Sequence, residues 1–115
     1  MKKLLFLLPV LFILSCGSSE DRYVDLNVNM ARTTTGIKIS NNDMFDYKNV
    51  EIDINSSYEY KVKLLKSFRT IEINYSKFAD YKGNRFNIYQ KKVKSVSVYC
   101  DLENEKTGFV YGEFK

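Results

Sequence analysis

From Tyr23 onward, apolar residues recur at every second position rather than at every third or fourth. In the clearest case, Val50, Ile52 and Ile54 alternate with Glu51 and Asp53. This period places apolar side chains on one face of a β-strand and polar side chains on the other. It predicts eight short strands, around residues 24–30, 37–39, 50–54, 58–64, 71–75, 86–88, 96–100 and 109–114.

The segments between these strands consist of residues that favour tight turns. Four of them carry the strongest turn chemistry: Asn41-Asn42-Asp43, Asn55-Ser56-Ser57, Lys82-Gly83-Asn84 and Glu103-Asn104-Glu105. Short strands with one apolar face and frequent turns predict an all-β sandwich of two antiparallel sheets, with seven to eight strands in total. A small closed β-barrel would show the same alternation and is the alternative.

The first 15 residues follow a different pattern. Lys2 and Lys3 precede an apolar run from Leu4 to Leu14, which Pro9 alone interrupts. This run is too short to span a membrane as a helix, which takes about 20 residues. It has the length of the apolar region of a secretory signal, so we expect an exported protein.

The end of this run, Ile13-Leu14-Ser15-Cys16, resembles the lipobox of bacterial lipoproteins. The resemblance implies cleavage between Ser15 and Cys16 and a diacylglycerol on the Cys16 sulfur, although Leu14 stands where a small residue is commoner. We therefore expect a signal peptide over 1–15, a lipidated cysteine and flexible tether over 16–22, and a β-sandwich domain over 23–115. We expect the lipid on Cys16 to attach the chain to a membrane. Gly17 favours the outer membrane if the host has two membranes.

Cleavage changes the charge and cysteine balance. The whole chain carries a net charge of +4, but two of its 18 basic residues lie in the signal, so 16 basic residues face 14 acidic ones. A mature charge of +2 on an exported protein argues against nucleic acid. Lipid on Cys16 leaves Cys100 without a disulfide partner, and we expect Cys100 to be buried beside Val96 and Val98.

Nothing in the residue content favours catalysis. The chain has no histidine, which removes the commonest general base and zinc ligand, and its five glycines form no phosphate-binding loop. The carboxylates Glu51, Asp53, Glu59 and Glu72 occupy the polar positions of predicted strands. We therefore predict no enzyme, no catalytic residue and no cofactor.

The segment Ser40 to Asp46 offers several oxygen donors between two strands. Calcium binds six to eight oxygens, more than this loop supplies alone. The sequence therefore predicts no metal site but an Asx-type turn with Phe45 folded into the core.

Surface lysines and tyrosines provide the candidate ligand surface: Lys61, Lys63, Lys91, Lys92, Tyr89 and Tyr99. If they share one face, they could bind a glycan or anionic lipid headgroups; otherwise the lysines protect sheet edges and polar faces. We expect the rings of Tyr58, Tyr60 and Tyr75 in the core, and those of Tyr47 and Tyr81 partly exposed with Tyr89 and Tyr99. The absence of tryptophan weakens the glycan hypothesis.

Two blocks, Ile37 to Asn55 and Phe78 to Asn87, resemble a group of uncharacterised small bacterial exported proteins. The resemblance implies an immunoglobulin-like sandwich and no known activity. Within it, Phe78 and Phe86 are expected to anchor a long connection, and Gly83 to permit a turn with positive φ. The functional prediction is a non-enzymatic binding or structural module of the bacterial envelope, which recognises an envelope protein.

Overall fold

The structure is a computed structural model that describes residues 23–115. The predicted signal peptide, the cleavage site between Ser15 and Cys16, and the tether over 16–22 lie outside these residues. The described chain contains eight strands: β1 (Tyr23–Asp25), β2 (Val28–Arg32), β3 (Gly36–Asn41), β4 (Tyr47–Ile54), β5 (Tyr58–Leu65), β6 (Thr70–Asn74), β7 (Ser95–Asp101) and β8 (Thr107–Glu113). Short 3₁₀ turns follow β6 at Tyr75–Lys77 and β7 at Glu103–Glu105.

The strands form two sheets, one of five strands in the order β1-β8-β7-β4-β5 and one of three in the order β2-β3-β6. The all-β, two-sheet prediction is therefore confirmed, and within residues 23–115 no barrel closes, so that alternative is wrong. One pairing departs from the antiparallel expectation, because β1 runs parallel to β8.

The core lies between the apolar faces of the two sheets. Ile37 and Ile39 of the small sheet and Ile52, Val96 and Val98 of the large sheet are fully buried. Each such side chain stabilises the fold by about 1.5–3 kcal/mol relative to an exposed one. Val62 and Tyr60 line the margin of this core and are half-buried.

The predicted strand over 24–30 is two strands in different sheets. Leu26 is buried at the crossing, where its N–H donates to the Phe109 carbonyl at 3.2 Å. The N–H of Asn27 then donates to the Asp43 carboxylate at 3.0 Å. The apolar and polar residues continue to alternate where the chain crosses between the sheets. This pattern depends on which side chains are buried, and not on which sheet the backbone joins.

The predicted strand over 86–88 is also wrong. Phe86 lies in the long connection between β6 and β7, buried as expected with Phe78. The Phe86 N–H donates to the Phe78 carbonyl at 2.9 Å, and the Phe86 ring meets Tyr58 edge-on with centroids 5.1 Å apart. The two phenylalanines thus anchor the connection, and Gly83 has the positive φ, 88°, that its turn requires.

Candidate binding surface

The five-stranded sheet turns one face toward the core and the other toward solvent. Because side chains alternate along a strand, Ser97 and Tyr99 of β7 lie on the face opposite the buried Val96, Val98 and Cys100, and of these two Tyr99 is exposed and Ser97 is covered. We call this solvent side the outer face. Its cross-strand rows are set by the register, and one row runs from Lys61 through Glu51 and Tyr99 to Phe109.

Three aromatic side chains lie together on the outer face. The rings of Tyr99 and Phe109 are paired across β7 and β8 with centroids 4.8 Å apart. Tyr111 lies one outward position further along β8, and its hydroxyl donates to the Glu113 carboxylate at 3.0 Å. Tyr99 is 40% exposed and Tyr111 48% exposed, so this aromatic group is available for contact.

Carboxylates adjoin the aromatic group on the same face. Oxygens of Glu51, Asp53 and Glu59 lie within 4.8 Å of one another. Partial burial, a hydrogen bond with Glu51 and repulsion by Glu51 and Glu59 raise the pKa of Asp53 to about 7. The nearest cation is Lys61, whose ammonium lies 3.8 Å from the Glu59 carboxylate. Acidic groups commonly cluster on a protein surface without an ion, and this cluster alone defines no metal site.

The candidate ligand residues divide between two places. Lys61 and Lys63 are exposed on β5 and Tyr99 on the outer face. Lys91, Lys92 and Tyr89 instead belong to the connection before β7.

There the Lys91 ammonium donates to the Tyr58 hydroxyl at 2.7 Å and lies 5.0 Å from the centre of that ring. The hydroxyl and the nearby Asp80 carboxylate raise the pKa of Lys91. Lys91 is therefore held at the β4–β5 turn, whereas Tyr99 lies with Phe109 and Tyr111, which sequence reasoning did not select.

One of the two expectations for the segment before β4 needs correction. The Asx-type turn is present, since the Asp43 N–H donates to the Asn41 side-chain oxygen at 2.8 Å. Phe45, however, is 40% exposed, and the group buried here is the Asn41 amide. That amide donates to the carbonyls of Phe45 and Leu65, so hydrogen bonding offsets its burial.

The prediction that Tyr47 is partly exposed is wrong, since its side chain is fully buried. Its hydroxyl donates to the Asp43 carboxylate at 2.5 Å. Burial, followed by this hydrogen bond, raises the pKa of Tyr47 well above its ordinary value. Tyr58 and Tyr75 are buried and Tyr81 and Tyr89 exposed, as predicted.

Cys100 is buried beside Val96 and Val98, as predicted, and is not disulfide-bonded. Burial raises the pKa of its thiol to about 11. Within residues 23–115, no helix has the length and apolar character needed to cross a membrane. No protein-family model, curated protein or solved structure matches the chain significantly.

Proposed function

We propose that the chain is a lipoprotein of the bacterial cell envelope, anchored by diacylglycerol on Cys16, whose sandwich is a non-enzymatic binding module for another envelope protein. The lipobox-like segment ending at Cys16 supports the anchor. In a host with two membranes, Gly17 favours the outer membrane.

The outer face carries the binding proposal. A solvent-facing sheet surface is ordinarily polar, but here the Tyr99–Phe109 ring pair and Tyr111, two residues further along β8, lie on it. Aromatic residues supply much of the binding energy at protein interfaces, because they bury a large area at a small cost in side-chain entropy. The Tyr111 hydroxyl already donates to Glu113, and its oxygen can still accept a hydrogen bond from a partner.

The charges beside the aromatic group favour a partner with a basic contact segment. Glu51, Asp53 and Glu59 crowd negative charge on β4 and β5, with Lys61 as their nearest cation. An arginine of the partner could bind these carboxylates while stacking on Tyr99 or Phe109. Its charge would relieve the repulsion that raises the pKa of Asp53.

Site-specific photo-cross-linking of the full-length chain in living cells tests this proposal. With the photoreactive amino acid at Tyr111, we expect a discrete adduct with one envelope protein, and we expect Tyr99→Ser to reduce its yield by about tenfold. The control places the same amino acid at Tyr81, a tyrosine in the 79–85 loop that is more exposed than Tyr111, so lower accessibility cannot explain a missing adduct there. The same adducts at both positions, or none at Tyr111, would contradict a binding role for the outer face.

The second candidate is a module for glycans or anionic headgroups that uses only the lysines near the start of β7, since Lys61, Lys63 and Tyr99 do not share their face. One observation favours it: Lys91, Lys92 and Lys94 line a groove with Asn55 and Ser95 at the β4–β5 turn. Replacing Lys92 and Lys94 by Glu should abolish binding to anionic vesicles or a glycan array if this groove is the site. Unchanged binding would remove the candidate.

An immunoglobulin-like topology is part of the proposal. The pairing β8-β7-β4 corresponds to the G-F-C sheet of that fold, with β5 as C′, and β2-β3-β6 corresponds to A-B-E. Strand β1 is additional in this correspondence. The described residues lack the disulfide of antibody domains, so the correspondence rests on strand order alone.

A further inference from the structure

Exposed apolar side chains collect at the end of the sandwich where the described chain begins. The register places Tyr23 beside Thr107, and Thr107 beside Asp101, at the same end as the start of β4 and the end of β5. We call this end, with the loops 42–46, 66–69 and 102–106, the entry pole. Its exposed apolar side chains are Met44 (86%), Tyr23 (70%), Phe68 (67%), Leu64 (42%) and Phe45 (40%).

Hydrogen bonds tie the loops that carry Met44 and Phe68 to each other. The Ser67 N–H donates to the Asp46 carboxylate at 2.9 Å, and the Ser67 hydroxyl donates to the Asp43 carbonyl at 2.5 Å. The two loops therefore present their apolar tips together. Exposed apolar side chains that lie together commonly mark a surface that contacts a protein or a membrane.

Phe68 has an unusual backbone conformation at this pole. Its φ of 59° lies in the left-handed region, which a bulky residue adopts only when its surroundings require it. Lys66 and Arg69 flank it in the same turn, and both are exposed. An aromatic tip between basic residues suits the membrane interface, where the ring enters the headgroup boundary and the cations remain with lipid phosphates.

The proposed lipid anchor on Cys16 indicates which surface covers the exposed Met44 and Phe68. Six residues lie between Cys16 and Tyr23, so the chain from one Cα to the other spans at most about 25 Å. If Cys16 carries lipid, as proposed above, the entry pole is the part of the domain held nearest the bilayer. We propose that the loops at 42–46 and 66–69 dock on the membrane surface, with Phe68 and Met44 inserted into the headgroup region. This docking rests on the proposed anchor and fixes the orientation of the domain, with Tyr89 and the lysine-lined groove away from the lipid.

The absence of tryptophan from the chain makes a direct test available. Phe68→Trp and Met44→Trp each place one fluorescent reporter at the entry pole, and Tyr89→Trp is the matched control, since Tyr89 is 95% exposed in the connection before β7. The full-length proteins, matured in cells, are reconstituted into phosphatidylethanolamine–phosphatidylglycerol vesicles with and without brominated lipid. Mass spectrometry of each preparation establishes whether Cys16 carries the lipid, and circular dichroism establishes whether the variant is folded.

With lipid on Cys16, we expect brominated vesicles to lower the emission of the Phe68→Trp and Met44→Trp proteins about twofold, and that of Tyr89→Trp by much less. Equal quenching at both poles, or none, would overturn the docking and leave the anchor intact. If the emission were not quenched but shifted to the blue as the protein concentration rose, the covering surface would be a second copy of the chain. That result would also overturn the membrane docking. Unlipidated Cys16 would instead defeat the proposed function itself.

Discussion

Asp53 shows how strongly the neighbours of a residue determine its chemistry. Its alternating position on β4 predicts a solvated carboxylate, but Glu51 and Glu59 lie against it and it is only partly exposed. The sequence shows the spacing of Glu51 and Asp53 on one strand; the position of Glu59 beside them depends on the turn at 55–57, which sets the register. The sequence therefore predicts the face of β4 on which Asp53 lies, but not the repulsion between Asp53 and its neighbours Glu51 and Glu59.

The raised pKa of Asp53 predicts a pH-dependent stability. The folded protein holds this proton up to about pH 7, whereas an unfolded chain releases it near pH 4. Stability from this group is therefore present at low pH and is lost as the pH rises from about 4 to 7. Asp53→Asn should raise the free energy of unfolding near pH 8 by about 1 kcal/mol, an amount discounted for solvent screening.

Urea unfolding at pH 4.5 and pH 7.5 measures this difference. The control Asp25→Asn removes an exposed carboxylate of β1 and should leave the wild-type pH dependence in place. If the free energy of unfolding of Asp53→Asn changed between the two pH values as much as that of the wild type, the raised pKa of Asp53 would be contradicted.

Cys100 provides a second test at the residue scale. Because its pKa is raised to about 11, only about one thousandth of the thiol is ionised at pH 8. Iodoacetamide should therefore label Cys100 far more slowly in the folded protein than in urea, as resolved by peptide mass spectrometry. Equal rates in both conditions would contradict its burial.

At the scale of elements, the pattern predicted strands well wherever one face is buried, as in β3, β4 and β7. It failed at 24–30 and at 86–88, where extended segments bury alternate side chains without belonging to one sheet. Leu26 and Phe86 show the reason. Burial of an alternate residue requires only an extended backbone over the core, while sheet membership depends on hydrogen bonds with distant strands.

Gly36 makes such a long-range requirement testable. A Cβ at this position would lie 2.1 Å from the carbonyl oxygen of Ile73, on the neighbouring strand β6. Backbone cannot move aside cheaply, so Gly36→Ala should destabilise the fold by about 2–4 kcal/mol. Chemical denaturation measures this loss.

Gly112→Ala is the matched control. A Cβ there meets only the terminal methyl of Met30, at 2.7 Å, which can rotate away. We expect a cost below about 1 kcal/mol. Similar losses for both variants would contradict the close approach of β3 and β6.

At the scale of the whole molecule, two surfaces of different character lie on one sandwich. The outer face combines Tyr99, Phe109 and Tyr111 with carboxylates, and the entry pole presents Met44 and Phe68. Sequence reasoning selected Tyr99 alone among these residues. The others occupy turn or outward positions, where an apolar residue is ordinary, and only the register and the loop pairing bring them together.

The proposed anchor on Cys16 would determine how these two surfaces are oriented relative to the membrane. A lipid on Cys16 would hold the entry pole toward the membrane and leave the outer face available to a protein in the envelope.

Metabolic labelling with a radioactive fatty acid tests this claim most directly, with the full-length chain compared with its Cys16→Ser and Cys100→Ala variants. We expect label and cleavage before Cys16 in the wild type and in Cys100→Ala, and an uncut, unlabelled precursor in Cys16→Ser. Normal maturation and labelling of Cys16→Ser would contradict the account.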